Sequence, residues 1–277
     1  MRLKLALLDL NNGTPNQGIR CLKEILEGYE HVLDWEIFDV RAKCEIPDTG
    51  YDIYLSSGGP GSPLDGDGVW DVQYYDLIDQ IWDWNLSDQA SKKYVFFICH
   101  SFQMVCNHFK LGSIVPRKSM SFGTFPVHKT EAGAQELVFD GLNDPFYAAD
   151  FRRWQFIQPD LEQFEALGAS ILALEKIRPH VPLERAIMAV RFSPEMIGVQ
   201  FHPEADADGM IEHFKKEELK KEIIRKHGKD KYNSLMCDLS IPKRIEHTHN
   251  TVIPNFMEDA ITSLLSMKQD KVTIAMG

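Results

Sequence analysis

Tyr94-Val-Phe-Phe-Ile98, followed by Cys99-His-Ser-Phe-Gln103, is the stretch on which the fold turns. Tyr94 to Ile98 is an unbroken apolar run of strand length, and Ser101 to Phe109 continues with helical spacing. Cys99 therefore falls on the turn between a buried strand and a helix. A thiol placed there meets the positive end of the helix, whose free N–H groups favour thiolate over thiol. Taken alone, a cysteine in this position is more often an inert residue closing a core strand.

Two distant stretches supply what a reactive thiol needs. Ser56-Ser-Gly58-Gly59-Pro-Gly61-Ser62 follows the apolar run Tyr51 to Leu55 as a glycine-rich loop at a second strand end, where backbone N–H groups can face an oxyanion. Ile197-Gly-Val-Gln-Phe-His202-Pro-Glu204 ends a third apolar run with a candidate base and, two residues on, a carboxylate. Nucleophile, base, orienting acid and oxyanion donors are then all present, the donors being the backbone of Gly59 and of His100, the residue after the thiol. Leu3 to Leu10 and Trp35 to Val40 read as further strands, and the helix between them carries Ile19, Leu22, Ile25 and Leu26 on one face. Strands alternating with helices predict a parallel sheet, which binds ligands outside its strands' carboxyl ends, so the three motifs should converge on one edge.

Gly-Gly-Pro-Gly, Ile-Cys-x-x-x-Gln and Gly-Val-Gln-Phe-His-Pro-Glu, in this order and spacing, resemble the class I glutamine amidotransferases over roughly residues 3 to 207, with the glutaminase half of GMP synthetase as a similar member. The resemblance implies a flavodoxin-like three-layer α/β sandwich with a mostly parallel central sheet over 1–207, and leaves 208–277 as a helical carboxyl-terminal extension. It implies a Cys99, His202, Glu204 triad acting on glutamine or a glutamine-like small molecule, with Gly58 and Gln103 among the substrate contacts and no cofactor. Arg117 and Phe122-Gly123 sit where the family carries an arginine and a Phe-Gly element on a few short strands.

Two departures stand out. Phe97 and Ser101 occupy the positions where the family has small glycines around the nucleophile, and Phe97 requires room that glycine would not. In Asp150-Phe-Arg152-Arg153-Trp154, arginines replace a Ser-His pair that holds the substrate α-carboxylate in relatives. Either Arg152 or Arg153 could grip that carboxylate bidentately; both could equally be exposed on a surface turn.

A formal net charge of −11 argues against a surface tracking nucleic-acid phosphates or anionic lipid. Five scattered cysteines without a Cys-x-x-Cys pair suggest neither a disulfide framework nor a zinc site, and point to the reduced cytoplasm. No run reads as a signal peptide or membrane span. No metal is assigned: Asp65-Gly-Asp67 lacks the rest of a calcium loop, and His247-Thr-His249 lacks further ligands. No phosphate-binding or pyrophosphatase loop appears, so ammonia would pass to a separate synthase subunit, or the domain would complete its own hydrolysis. An oligomer remains open.

Met210 to His227 reads as one amphipathic helix and Asn255 to Met267 as another, after proline-marked loops at Ile241-Pro242 and Ile253-Pro254. Two other functions share the pattern: a cysteine hydrolase of another γ-glutamyl or amide compound, and a non-catalytic binding or regulatory protein retaining the triad residues.

Overall fold

Apolar strands buried on both faces need helices on both faces, and the computed structural model, which describes residues 2–88, 91–180, 182–241 and 243–275, has that arrangement. Pro242 and the last two residues of the expected extension lie outside the described residues. The chain opens with β1 (Leu3–Asp9), α1 (Gln17–Glu27), β2 (Leu33–Asp39), β3 (Ile53–Ser56), α2 (Trp70–Leu86), β4 (Tyr94–Ile98) and α3 (His100–His108). Then come β5 (Gly112–Lys129), α4 (Glu131–Ala134), β6 (Phe146–Pro159), α5 (Leu161–Leu167), β7 (Ser170–Glu175), β8 (Ile187–Ser193) and β9 (Met196–Val199). It finishes with α6 (Ala207–Lys215), α7 (Glu217–His227), α8 (Lys229–Leu239), α9 (Glu246–His249) and α10 (Val252–Ala275).

The strands form one sheet in the order β2-β1-β3-β4-β9-β8-β7-β5-β6. Its first part, β2 to β9, pairs in parallel, and the remainder is antiparallel. The fold is the expected α/β sandwich. Where short strands were expected after α3, β5 and β6 instead form a long antiparallel pair, with an irregularity between Pro116 and Ser121.

Strand β4 shows how the layers are built. Successive side chains alternate across a strand, so Phe96 and Ile98 point to one face and Val95 and Phe97 to the other. Phe96 and Ile98 join a core with Leu22 and Leu26 of α1 and with Ile253, Phe256 and Met257 of α10. Val95 and Phe97 join a second core with Tyr74 and Ile78 of α2 and Phe102 and Val105 of α3. Thus α10, although last in sequence, is part of the main core.

The rest of the extension behaves differently. The expected single helix from Met210 to His227 is two, because Lys216 adopts an extended conformation (ψ 126°) between α6 and α7. Gly228, at φ +88°, turns the chain again into α8, an element without a clear periodic signal in the sequence. The turns let Met210, Ile223, Tyr232 and Leu235 converge on Phe122 of β5 and Ala149 of β6, a third core that roofs the long hairpin. Among the described residues no helix is long and apolar enough to cross a membrane.

The room Phe97 requires comes from the next strand. Phe97 pairs with Gly198 of β9, and its fully buried ring meets Phe192 edge to face at 5.8 Å. A methyl group on Gly198 would lie 2.7 Å from Phe102, 3.1 Å from Phe192 and 3.2 Å from Phe97. Gly198→Ala should therefore cost about 1–3 kcal/mol through overpacking. A urea titration should show a lower midpoint with an unchanged slope.

Candidate active site

Because β1, β3, β4 and β9 run in parallel, the loops after them meet at one sheet edge. Cys99 stands there in a backbone conformation that side chains rarely adopt, φ 49° and ψ −94°. Such a turn is strained and persists only where its surroundings impose it. Three buried bonds do so. The Cys99 N–H donates to Val199 O at 2.8 Å, the Ile98 N–H donates to Ser101 Oγ at 2.9 Å, and Ser101 Oγ donates to Ser56 O at 2.9 Å. Ser101, which stands where the family has glycine, thus ties the ends of β3 and β4 together beneath the thiol. Nearby, Ser56 Oγ and Tyr74 OH share a hydrogen bond of 2.8 Å.

The glycine loop is held as firmly. Ser57 Oγ accepts from Leu10 N at 2.9 Å and donates to Gly58 O at 2.9 Å. Arg41, which no motif surrounds in the sequence, donates from Nη1 to Pro60 O at 2.7 Å. Gly58 is the closest approach of this loop to the triad residues. A β-carbon there would sit 2.9 Å from His202 Cε1 and 3.6 Å from Cys99 Cβ.

His202 is fixed to the hairpin by its N–H, which donates to Ala149 O at 2.8 Å. Its Nδ1 pairs with Glu204 Oε1 at 2.8 Å, and the ring and the Cys99 side chain flank Gly58 and line the same cavity. Burial pulls the His202 pKa down, but the Glu204 carboxylate and Cys99 outweigh it and hold the imidazole well above its usual range. Glu204 is buried, and the extension braces it: His249 Nδ1 donates to the Glu204 carbonyl at 2.9 Å. One ring of the His247-Thr-His249 pair is therefore committed to a structural partner.

The other cysteines close to the site are chemically quiet. Burial pushes the Cys106 thiol well above its ordinary range, and burial with the neighbouring Asp206 pushes Cys21 up to about 12. All five cysteines are free.

Cys99, with Gly59 and Phe151, forms the shared wall of two cavities. The smaller, about 200 Å³, is lined by His100, Gln103, Arg152, Arg153 and Trp154. The larger, about 360 Å³, is lined by Gly58, His202 and Glu204 and roofed by residues of α6. Gln103 borders the smaller cavity while its amide donates to Gln200 Oε1 at 2.7 Å, and Gln200 Nε2 lies 3.7 Å from Cys99 Sγ. Gln200 sits inside a motif whose recognisable chemistry is its histidine and glutamate, so nothing local in the sequence points to this bridge. Burial, reinforced by Arg41, lowers the His100 imidazole to about 3 and leaves it neutral. Its Nε2 has no hydrogen-bond partner among the described residues.

Arg152 and Arg153 separate cleanly. Arg152 is buried, with Nε 3.0 Å from Asp150 Oδ1 and Nη2 3.5 Å from Glu175 Oε1. Glu175 also holds Arg117 and Arg178, each at 2.9 Å. With its guanidinium engaged on two carboxylates, Arg152 is less available to a substrate carboxylate than Arg153, although it too lines the smaller cavity. Arg153 is exposed at the rim of the smaller cavity.

The family model for glutamine amidotransferase class-I matches residues 20–221. Among solved structures, a glutamine amidotransferase from Thermotoga maritima is similar at 15% identity and a TM-score of 0.70, covering 94% of this chain and 99% of that one. A Thermoplasma acidophilum protein proposed to be one of the subunits of a GMP synthase is 16% identical, with a TM-score of 0.57 and 98% of each chain covered. The glutaminase domain of Trypanosoma brucei CTPS, solved with bound acivicin, is 14% identical with a TM-score of 0.52, covering 73% of this chain and 86% of that one. At these identities the three structures speak for the fold. No curated protein sequence matches the chain.

Gly58→Ala tests whether the loop sets the histidine. The added methyl must displace the His202 ring from Cys99, so alkylation of Cys99 by iodoacetamide at neutral pH should slow by about tenfold to a hundredfold, followed by peptide mass mapping.

Proposed function

We propose Cys99-dependent hydrolysis of the glutamine side-chain amide for this chain, which belongs to the class I glutamine amidotransferase family. The observation that carries the reading is that Cys99 and a His202 ring whose Nδ1 is already engaged by Glu204 flank Gly58 and face one cavity. A raised imidazole beside a thiol favours the thiolate–imidazolium pair, the reactive form of a cysteine nucleophile.

In this mechanism the Cys99 thiolate adds to the amide carbon. Backbone N–H groups of Gly59 and His100 meet the developing oxyanion, one from the glycine loop and one from the first residue of α3. The C–N bond then breaks, and its electron pair stays on nitrogen, which takes the proton from the His202 imidazolium. Water, deprotonated by His202, attacks the thioester, so glutamate leaves and the thiol is restored. Glu204 keeps the ring oriented and stabilises its charge.

The glutamyl end would occupy the smaller cavity. Gln103 lines its wall, and Arg153 at the rim provides a cation for the α-carboxylate. We place the reaction in the reduced cytoplasm, with ammonia passing to a separate synthase subunit. The five free thiols support the first of these assignments.

Labelling with a glutamine-shaped electrophile, read by intact mass, should modify the wild-type protein at one site and leave Cys99→Ala unmodified. Modification only by a generic alkylator would sink the glutamine assignment. Cys99→Ala and His202→Ala should each lose about a thousandfold or more of any turnover, because triad members act as a unit.

The pH dependence carries a sign. A histidine raised above 6.5 keeps its proton to higher pH, so the alkaline limb of Cys99 acylation should lie above that value. Glu204→Gln removes a charge that raises it and should move the limb to lower pH. A limb that stays in place would show that Glu204 does not tune the ring.

A further inference from the structure

The two cavities that meet at Cys99 differ in what they can hold. General-acid catalysis requires the leaving nitrogen to come within hydrogen-bond reach of His202. His202 lines the larger cavity, while Gln103 and Arg153 line the smaller one. The acyl part therefore belongs in the smaller cavity, and the leaving group belongs in the larger.

Ammonia is a poor match for that compartment. A water-sized molecule has a share of about 30 Å³ in the liquid, whereas the larger cavity has about 360 Å³. Its walls are also of two kinds. On one side Phe122, Phe151, Met210 and Phe214 form an apolar roof, with Phe122 and Phe151 in edge contact at 5.1 Å and Phe214 at 6.0 Å from each. The other side is polar, with His202, Glu204, Asn11 and Ser57. Two polar atoms on residues lining this space are buried and have no hydrogen-bond partner among the described residues: Glu204 Oε2, on a residue only 2% exposed, and His213 Nδ1 on α6. Burial, with Lys216 nearby, lowers the His213 pKa, which suits a neutral ring that accepts or donates one hydrogen bond.

We infer that the larger cavity receives an apolar primary amine as the leaving group, so that the preferred substrates are γ-glutamyl amides whose nitrogen carries a hydrocarbon or aromatic substituent. The inference rests on the Cys99 chemistry proposed above and extends its substrate class. The amide nitrogen lies within reach of the His202 ring nitrogen that Glu204 leaves free, and the substituent lies under the phenylalanine roof. Cys99 forms the same thioester, the C–N bond breaks, the amine nitrogen keeps the electron pair and takes the His202 proton, and the free amine leaves. Water then releases glutamate as before. Burial of the substituent against the roof favours such a substrate over glutamine.

The test compares kcat/KM of the full chain for γ-L-glutamyl benzylamide, γ-L-glutamyl isobutylamide and L-glutamine, with released glutamate as the readout and Cys99→Ala as the blank. The benzylamide should exceed glutamine by about tenfold or more. Phe214→Trp, which narrows the compartment, should lower that ratio severalfold, and Met210→Trp should do the same from a different position. Each ratio is taken within one protein, so partial loss of folded material cancels. Glutamine turned over as well as or better than both amides would overturn the inference and leave the glutaminase reading standing. Labelling of Cys99 by the glutamine-shaped electrophile with turnover of none of the three would also overturn it alone. No labelling and no turnover would remove both readings.

Discussion

The turn at Cys99 is the constraint on which the rest of the site depends. A left-handed conformation at a residue bearing a side chain costs on the order of 1–3 kcal/mol, and only a surrounding that leaves the backbone no alternative retains it. Here β4 is buried in the sheet on both sides, its last residue is pinned to Ser101, and Cys99 itself is pinned to β9. The gain is geometric. The thiol is lifted out of the strand plane toward the loops of β3 and β9, at the start of α3.

That constraint reaches outward through few bonds. Ser101 ties the thiol's strand to β3, whose end carries the glycine loop; Ser57 and Arg41 tie that loop to the residue after β1. His202 is held by β6, and Glu204 by α9. The carboxyl-terminal helices thus serve two purposes. The last completes the core on one face of the sheet, and α6 to α8 roof the cavity beside the thiol. The buried arginine and glutamate network around Glu175 lies at the antiparallel end of the sheet, where paired charges satisfy one another. Burial would raise the Glu175 pKa, but Arg152 and Arg117 hold it below the usual carboxylate range.

What was legible in the sequence was legible because it is local. An apolar run of strand length followed by helical spacing places Cys99 on a turn whatever surrounds it, and parallel strands carry their loops to one edge by topology. The triad residues could be named from two short motifs for the same reason. The split of Met210 to His227 was hidden because Ile211, Phe214, Leu219 and Ile223 make a rough apolar stripe across the break at Lys216, while the contacts of Phe214 with Phe122 and Phe151 come from strands distant in sequence.

By itself the sequence determined the α/β class, the edge of the sheet that carries the chemistry, and the groups that meet there, since each follows from spacing within a few residues. Only the tertiary structure decided which groups are free to act. Arg152 is engaged by Asp150 on its own strand and by Glu175 of β7, and Gln103 by Gln200, far on in the sequence. Gly198 makes room for Phe97 across a strand pair, and α6 closes a compartment over a cysteine more than a hundred residues earlier. The physical reason is the same in each case. Hydrogen-bond commitment and cavity volume depend on what the fold brings alongside, and local periodicity carries no record of that.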